Sequence, residues 1–163
     1  MKAMKPNKLF PLLIAAALFH GLVSCSDRPD RMFKDFFVYV QDENGMESSR
    51  VSSTSNNLLV TYYFQLVSEA ITEPLTVDFD LVVGDGLVQD RDFKLQSESR
   101  SVTFEPGVYK KPFRIVYLNH EVDPSKDNTL RIVIRNTSNP GIIIGYPGPN
   151  ARFSSHTITK YNQ

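Results

Sequence analysis

Hydrophobic and polar residues alternate along most of the chain beyond residue 35, and this alternation predicts β-strands. The clearest segments are Leu58 to Val67 and Leu75 to Val83, in which apolar side chains recur at every second position. Residues 36–40 are aromatic and β-branched, a composition that favours a strand. Shorter patterns predict further strands near residues 102–104, 113–117, 130–134 and 153–160. Because successive side chains of a strand point to opposite faces, each of these segments has one face suited to a core and one suited to solvent.

Turn residues separate these segments, and no segment beyond the N-terminal region shows a sustained helical period. Gly84-Asp85-Gly86 and Glu105-Pro106-Gly107 have the composition of tight turns. About seven short strands, each with one polar face, are typical of two antiparallel sheets packed face to face. The sequence therefore predicts an all-β fold, an antiparallel immunoglobulin-like β-sandwich formed by residues 35–163 as one domain.

The N-terminus has the composition of an export signal. Lys2, Lys5 and Lys8 form a positive region, and residues 9–22 form an apolar stretch of about 14 residues. A membrane-spanning helix needs about 20 apolar residues, so this stretch has the length of a signal-peptide core instead.

The sequence Leu22-Val23-Ser24-Cys25 follows this stretch and resembles the lipobox of bacterial lipoproteins. In that family the cysteine thiol is diacylglycerylated, cleavage occurs before the cysteine, and the new N-terminus is acylated. Several acyl chains anchor a protein stably, at about 0.8 kcal/mol per buried CH₂. The resemblance implies that residues 1–24 are a lipoprotein signal peptide, that Cys25 is the lipidation site, and that residues 25–34 are the lipidated cysteine and a polar tether. The alternative is an ordinary secretory signal with an incidental cysteine.

Cys25 is the only cysteine of the chain, as expected of an exported domain that relies on its core rather than on disulfides. Asp27 and Asp30 resemble the acidic signals that follow the cysteine in some surface-exported lipoproteins, although Arg28 and Arg31 weaken the match. We therefore expect an outer-membrane protein held in the membrane by its N-terminal lipid. The cell surface is favoured over the periplasmic face.

The composition allows a folded core and argues against nucleic-acid binding. Hydrophobic residues make up 41% of the chain and charged residues 22%, as in ordinary globular domains. Lys and Arg number 18, as do Asp and Glu, and three of the lysines belong to the predicted signal. The mature chain is therefore slightly acidic, whereas a nucleic-acid-binding domain needs a clustered basic excess.

The segment from Val77 to Asn136 resembles a known family. It contains Asp92-Phe93, then VTFEPGVYKKPFRIVYL at residues 102–118, then a polar loop, then TLRIVIRN at residues 129–136. These features resemble the Calx-beta domain, an immunoglobulin-like sandwich. Similar small sandwiches occur as lipoproteins of bacterial polysaccharide-utilisation systems. The resemblance implies a Calx-beta-like sandwich. The lipobox makes the polysaccharide-utilisation context plausible, and carbohydrate binding or cell adhesion is the expected kind of role.

Some Calx-beta domains bind calcium through acidic residues of the polar loop. In this chain the family's paired aspartates fall on Asn119 and His120 and its glutamate falls near Pro124, so most of the implied ligands are missing. Three other carboxylates remain, which form either a weak calcium site or a solvated acidic turn. These carboxylates are Glu121, Asp123 and Asp127. We expect no metal site and no cofactor.

A pair of aspartates is the first candidate for catalysis. Asp78 and Asp80 are two residues apart on one strand face, whereas glycosidases place two carboxylates about 5–10 Å apart across a cleft. If this strand pairs with the one near residues 130–134, Arg131 and Arg135 lie across from the aspartates. The sequence therefore favours ion pairs over a catalytic pair.

Other catalytic motifs are missing from the sequence. His120 and His156 are the only histidines beyond the predicted signal, and they are too far apart for a metal motif of the HExxH kind. The mature chain has no GxSxG motif, no P-loop and no second cysteine. We predict that the protein is not an enzyme.

Two classes of function remain. One is a surface binding module for a glycan or a protein. The alternative is a structural or accessory subunit of an outer-membrane complex for polysaccharide uptake or adhesion. Glycan modules usually hold sugars on exposed aromatic rings, and the chain has no Trp. The candidate ligand-binding residues are therefore Tyr146, Tyr109 and Tyr63, with Tyr39 as a further outward-facing ring; each has the alternative role of covering an edge or a neighbouring sheet.

The segment from Ser138 to Asn150 is the expected contact surface, because it is rich in Gly and Pro and contains Tyr146. Its three consecutive isoleucines, Ile142 to Ile144, cannot all face one core in an extended chain. At least one should face solvent or lie under the Tyr146–Pro149 segment. The competing interpretation is that the isoleucines close the end of the sandwich and that the loop only seals it.

Overall fold

The computed structural model describes residues 35–163, and this range forms strands joined by turns and loops. The predicted signal peptide, the lipidation site and the tether lie outside the described residues. Within the described range, no helix is long and apolar enough to cross a membrane. The strands are β1 (Phe37–Asp42), β2 (Ser48–Ser52), β3 (Leu58–Val67), β4 (Leu75–Val83), β5 (Phe93–Leu95), β6 (Ser101–Phe104), β7 (Lys110–Tyr117), β8 (Thr129–Thr137), β9 (Ile143–Ile144) and β10 (Ser155–Tyr161).

Two five-stranded sheets pack face to face. The first sheet has the order β5-β7-β3-β1-β9 and the second has the order β2-β10-β8-β4-β6. Neighbouring strands are antiparallel except for the pairs β1–β9 and β2–β10. This arrangement confirms the all-β, immunoglobulin-like sandwich predicted from the sequence.

The core lies between the sheets and is built from the inward-facing positions of the alternating strands. The rings of Phe64 on β3 and Phe79 on β4 meet across the two sheets with centroids 4.8 Å apart, and Phe113 of β7 packs against both. Burying each such side chain stabilises the fold by about 1.5–3 kcal/mol. Further fully buried members of the core are Val38, Val40, Val77, Phe104, Ile115, Leu130 and Ile132.

The structure has ten strands rather than about seven. The additional strands β2, β5 and β9 are short edge strands of five, three and two residues. Two or three residues are too few for alternation to be recognised, and the sequence of β2, SSRVS, is mostly polar because it lies at an edge. The two strands with the strongest alternation, β3 and β4, have the predicted boundaries.

The sandwich has two ends, which carry different loops. At the Asp35 end lie residues 35–36 and the loops 68–74, 105–109 and 138–142, because β1 and β7 start there and β3 and β8 finish there. At the opposite end, called here the Asp92 end, lie the loops 53–57, 84–92 and 118–128.

Candidate functional site

The outer face of the first sheet carries aromatic, amide and cationic side chains that are able to bind a ligand. Strand register fixes which of them are neighbours. The rows that run across the sheet are Tyr39–Gln65–Lys110 and Gln41–Tyr63–Pro112 on β1, β3 and β7, then Thr61–Arg114 on β3 and β7, then Leu59–Val116–Lys94 on β3, β7 and β5.

An aromatic cluster occupies the β1 side of this face. The ring of Tyr146 lies 5.2 Å from Phe37, 4.9 Å from Tyr39 and 4.9 Å from Phe153, measured between centroids. Burial raises the pKa of Tyr39 to about 12, and the neighbouring Tyr146 acts in the same direction. The Tyr39 hydroxyl therefore stays protonated and donates a hydrogen bond of 3.2 Å to Gln65 Oε1. Tyr146 itself remains half-buried.

The loop that carries Tyr146 folds over the outer face of β1 and is held there by specific contacts. Gly145 has a φ of 80°, and a side chain at this position would come within 2.5 Å of the Ala151 carbonyl. Ala151 and Phe153 also have positive φ, at 39° and 60°, which is uncommon for residues with side chains. The Phe153 N–H donates to Glu47 Oε1 at 2.9 Å and fixes the far side of the loop. A shallow cavity of about 140 Å³ is lined by residues 146–152.

Three cations occupy the other side of the face. Lys94, Lys110 and Arg114 are exposed, and the ammonium of Lys110 lies 3.8 Å from the centre of the Tyr63 ring. A cation over an aromatic ring is attracted by the electron-rich ring face. This contact keeps the Lys110 charge on the sheet surface beside Gln65.

The outer face of the second sheet has a different charge pattern. Arg135 Nε lies 2.8 Å from Asp80 Oδ2, which confirms the predicted ion pair between β4 and β8. Arg131 stands opposite a valine of β4 and Asp78 opposite Asn136, so the second predicted pair does not form. Both aspartates are exposed on the sheet surface, and the charge of Asp80 is balanced there by Arg135.

The predicted tyrosines lie in two places. Tyr63 and Tyr146 share the outer face of the first sheet with Tyr39, and both are half-buried. Tyr109 lies at the Asp35 end, where its carbonyl accepts a hydrogen bond from the Leu66 N–H and its side chain packs against the interior core. The structure therefore brings Tyr63 and Tyr146 onto one surface and separates Tyr109 from them.

The three isoleucines of the 138–150 segment behave as the alternation requires. Ile142 is buried and Ile144 packs against the core, whereas the side chain of Ile143 is 40% exposed. The isoleucines thus close part of the Asp35 end, and the following residues cover β1.

Sequence reasoning did not identify Lys94, Lys110, Arg114 and Gln65 as site residues. Arg114 lies in the segment 113–117, whose alternation indicated a strand and nothing more, and Lys94 belongs to a strand that was too short to recognise. The alternation of β7 was a usable signal, because it places Lys110 and Arg114 on the same outward side. The strand register determines which tyrosines lie beside these two cations, and the alternation of a single strand does not give the register.

A buried ionic network fixes the loops of the Asp92 end. The Asp92 carboxylate accepts hydrogen bonds from Lys160 Nζ (3.1 Å), the Val88 N–H (2.8 Å) and Arg91 Nε (2.9 Å), and its Oδ1 lies 3.0 Å from His120 Nδ1. Burial alone would raise the pKa of Asp92, but these bonds outweigh burial and lower it. The network links β10 to loops 84–92 and 118–128.

The loop in which the resemblance places calcium ligands is tied to this network and to local turns. His120 is bonded to Asp92, and Asp123 Oδ1 accepts from the Ser125 N–H and hydroxyl. Asp127 Oδ1 accepts from the Thr129 N–H and hydroxyl. Among residues 35–163, no three His, Cys, Asp or Glu side chains are grouped as metal ligands.

The second histidine is part of the core. Both ring nitrogens of His156 are engaged, Nδ1 with the Met46 carbonyl at 3.0 Å and Nε2 with Ser49 Oγ at 2.9 Å. Burial lowers the pKa of His156, so the neutral ring donates to Met46 and accepts from Ser49. Its position and its bonds are those of a structural residue.

Comparison with known proteins gives a match of fold. No family model matches the chain, and no curated protein sequence matches it either. Among solved structures, the apo form of the Calx CBD1 domain aligns with a TM-score of 0.51 and 17% identity, over 78% of this chain and 98% of that domain. The described residues therefore have a Calx-beta-like β-sandwich fold.

Proposed function

We propose that the mature chain is a non-catalytic binding module, anchored in the outer membrane through a lipid on Cys25 and displayed at the cell surface, and that it binds a glycan on the outer face of the first sheet. The observation that carries this proposal is the composition of that face. Aromatic rings, neutral hydrogen-bonding side chains and exposed cations lie side by side on one sheet face. Two of these groups match a sugar, because its C–H faces pack on rings and its hydroxyls pair with amides and hydroxyls.

The geometry of the face supports binding of an extended chain rather than a small molecule. Neighbouring strands are about 4.8 Å apart, so strands β5 and β1, which lie three positions apart in the sheet, are separated by about 14 Å across it. The Tyr146 loop stands above Tyr39 and forms a raised border along one side. Because most of these side chains project from paired strands, little ordering is required when a ligand binds.

The absence of catalysis is part of the proposal, and the contacts of the candidate acids and bases support it. Asp80 is paired with Arg135, and His120 is bonded to Asp92. His156 is buried with both nitrogens engaged.

Electrophoresis of the detergent-solubilised full chain through native gels containing soluble polysaccharides tests this proposal. We expect at least one polysaccharide to retard the protein. Tyr63→Ala and Gln65→Ala should weaken the retardation with little change in melting temperature. Thr157→Ala, on the outer face of the second sheet, is the matched control. Equal loss with the control variant, or no retardation by any polysaccharide of a broad panel, would contradict the proposal.

A second candidate function, that of an accessory subunit, is favoured by the Asp92 end. Four of the exposed large apolar side chains lie there: Leu58, Leu59, Val83 and Val88. The loops around them are held by the Asp92 network, and the end is opposite the one at which Asp35 enters. Three of these side chains lie at strand ends and Val88 lies on a loop; exposed apolar side chains on such fixed positions are suited to a protein partner. Leu58→Ser with Val88→Ser should then abolish crosslinking to an outer-membrane protein in cells while glycan retardation is kept; unchanged crosslinking would reject this function.

A further inference from the structure

The cations on the outer face of the first sheet are not balanced by carboxylates. The outward positions of β1, β3, β5 and β7 include Lys94, Lys110 and Arg114 and no Asp or Glu. None of these three cations takes part in the ion pairs found within residues 35–163, which involve other basic residues. The described part of the chain contains more Asp and Glu than Lys and Arg. This face is therefore positively charged on a domain whose net charge is negative.

The second sheet shows that the imbalance is not a general property of the strands. Its outer face also carries arginines, but Asp78 and Asp80 lie among them and Asp80 pairs with Arg135. Arg131, exposed and without an ion-pair partner among the described residues, occupies an outward strand position there as Arg114 does on the first sheet. Arg114 and Arg131 can therefore be compared as exposed strand arginines on opposite faces of the sandwich.

From this distribution we infer that the glycan bound by the outer face of the first sheet is anionic, an extended polysaccharide that carries carboxylate or sulfate groups. The inference rests on the glycan binding proposed above and adds the chemical class of the ligand. Charge complementarity is the physical reason. The three cations attract anions, and the outward strand positions carry no carboxylate that would repel them.

The spacing of the cations favours a polymer with repeated charges over a single anionic group. Lys110 and Arg114 are four residues apart on β7, or about 13 Å at about 3.3 Å per residue. Lys94 pairs with Val116, so it is a diagonal neighbour of Arg114, about 7–8 Å away. One phosphate or carboxylate does not reach all three cations, because Lys110 and Arg114 are about 13 Å apart, whereas a chain that lies along β7 reaches each of them.

The side chains between the cations favour a glycan over a membrane surface. Thr61, Tyr63 and Gln65 lie next to the cations on β3 and offer hydroxyl, ring and amide contacts to sugar rings. The Tyr146 loop rises above the sheet beside them. A flat bilayer would meet this border before it met the sheet, while a polysaccharide chain fits beside it.

Two matched pairs of polymers test the inference with the detergent-solubilised full chain. Polygalacturonate is compared with its fully methyl-esterified form, and dextran sulfate with dextran, so that each pair differs in charge on one backbone. We expect a charged polymer to retard the protein and its neutral counterpart to do so at least tenfold less well. Exposed ion pairs contribute about 0.2–1 kcal/mol, so each of Lys94→Gln, Lys110→Gln and Arg114→Gln should weaken binding by about 1.4- to 5-fold. Raising the salt concentration should weaken it further.

Arg131→Gln is the control, because it removes an exposed strand arginine from the opposite face, and it should leave retardation unchanged. Equal retardation by charged and neutral polymers, with no effect of the three substitutions, would overturn the anionic ligand and leave glycan binding intact. Equal loss in Arg131→Gln would overturn the site. Failure of every polysaccharide, neutral or charged, would overturn both proposals. Binding to vesicles with anionic lipid but to no polysaccharide would overturn the inference in favour of a membrane contact.

Discussion

Lys160 and Asp92 form an ion pair inside the sandwich, with Lys160 Nζ 3.1 Å from Asp92 Oδ1 and with side chains that are 1% and 0% exposed. Lys160 Nζ also donates to the Leu118 carbonyl at 3.0 Å. The pair joins the last strand to the loops of the Asp92 end. A buried charge is tolerated only when it is paired and hydrogen-bonded, so this contact determines whether that end is stable.

Removal of one partner should therefore destabilise the fold strongly. Asp92→Ala leaves the Lys160 ammonium buried without a counter-charge, and we expect a loss of about 3–5 kcal/mol in the free energy of unfolding. Lys160→Met should cost less, because Asp92 keeps Arg91 and His120 as partners. Urea denaturation of both variants and of the double variant measures the difference. Equal losses in the two single variants would contradict the stated hierarchy.

Tyr146→Ala should lower stability as well as remove a ring from the candidate site. The substitution deletes ring contacts with Phe37, Tyr39 and Phe153, and aromatic pairs contribute about 0.5–1.5 kcal/mol each beyond their burial. We expect a loss of about 2–3 kcal/mol, measured by thermal denaturation, and a much smaller change for Tyr63→Ala. An unchanged melting temperature for Tyr146→Ala would show that the ring serves a ligand alone and does not hold the loop on β1.

The long strands were predictable because each buries one face, and burial imposes a period of two on the sequence. The boundaries of β3 and β4 follow from this period alone. The Asp80–Arg135 contact was predicted on the condition that β4 pairs with β8, as the strand order of the Calx-beta family suggests, and the structure contains both the pairing and the contact.

The buried pair and the aromatic cluster were not predictable in the same way. Lys160 stands at an inward position of β10, where alternation indicates an apolar residue, and its partner is 68 residues away. Tyr39 is an outward residue of β1 that becomes buried because the loop near Tyr146 folds over it. Both features depend on contacts between distant segments, which the pattern of a single segment does not contain.

Calcium should stabilise the protein little. The Asp123 and Asp127 carboxylates already accept hydrogen bonds within their own turns, and ligand stabilisation follows RT ln(1 + [L]/Kd), which is small when binding is weak. We expect millimolar calcium to change the melting temperature by less than about 5 °C relative to a chelator control. A larger rise that disappears in Asp123→Asn with Asp127→Asn would show that the loop binds the ion after all.

Cys25→Ala tests the predicted anchor. The substitution removes the thiol on which lipidation depends, so palmitate labelling and membrane fractionation should both be lost while the sandwich stays folded. Fractionation of cells that express each form, with circular dichroism of the released protein, measures both properties. Membrane association that persists in the variant without partner proteins would contradict the lipoprotein hypothesis.

His156 should make the sandwich sensitive to mild acid. Burial holds the pKa of His156 below its usual value of 6.5, so between these two values the unfolded chain binds a proton that the folded chain does not. The free energy of unfolding should then be constant above about pH 6.5 and fall below it, by at most about 1.4 kcal/mol per pH unit for this one proton. His156→Gln removes the titrating ring and retains a group that donates and accepts hydrogen bonds, so its stability should depend less on pH between 6.5 and 5. Urea denaturation of both proteins across this range measures the slopes, and equal slopes would assign the acid sensitivity to other groups.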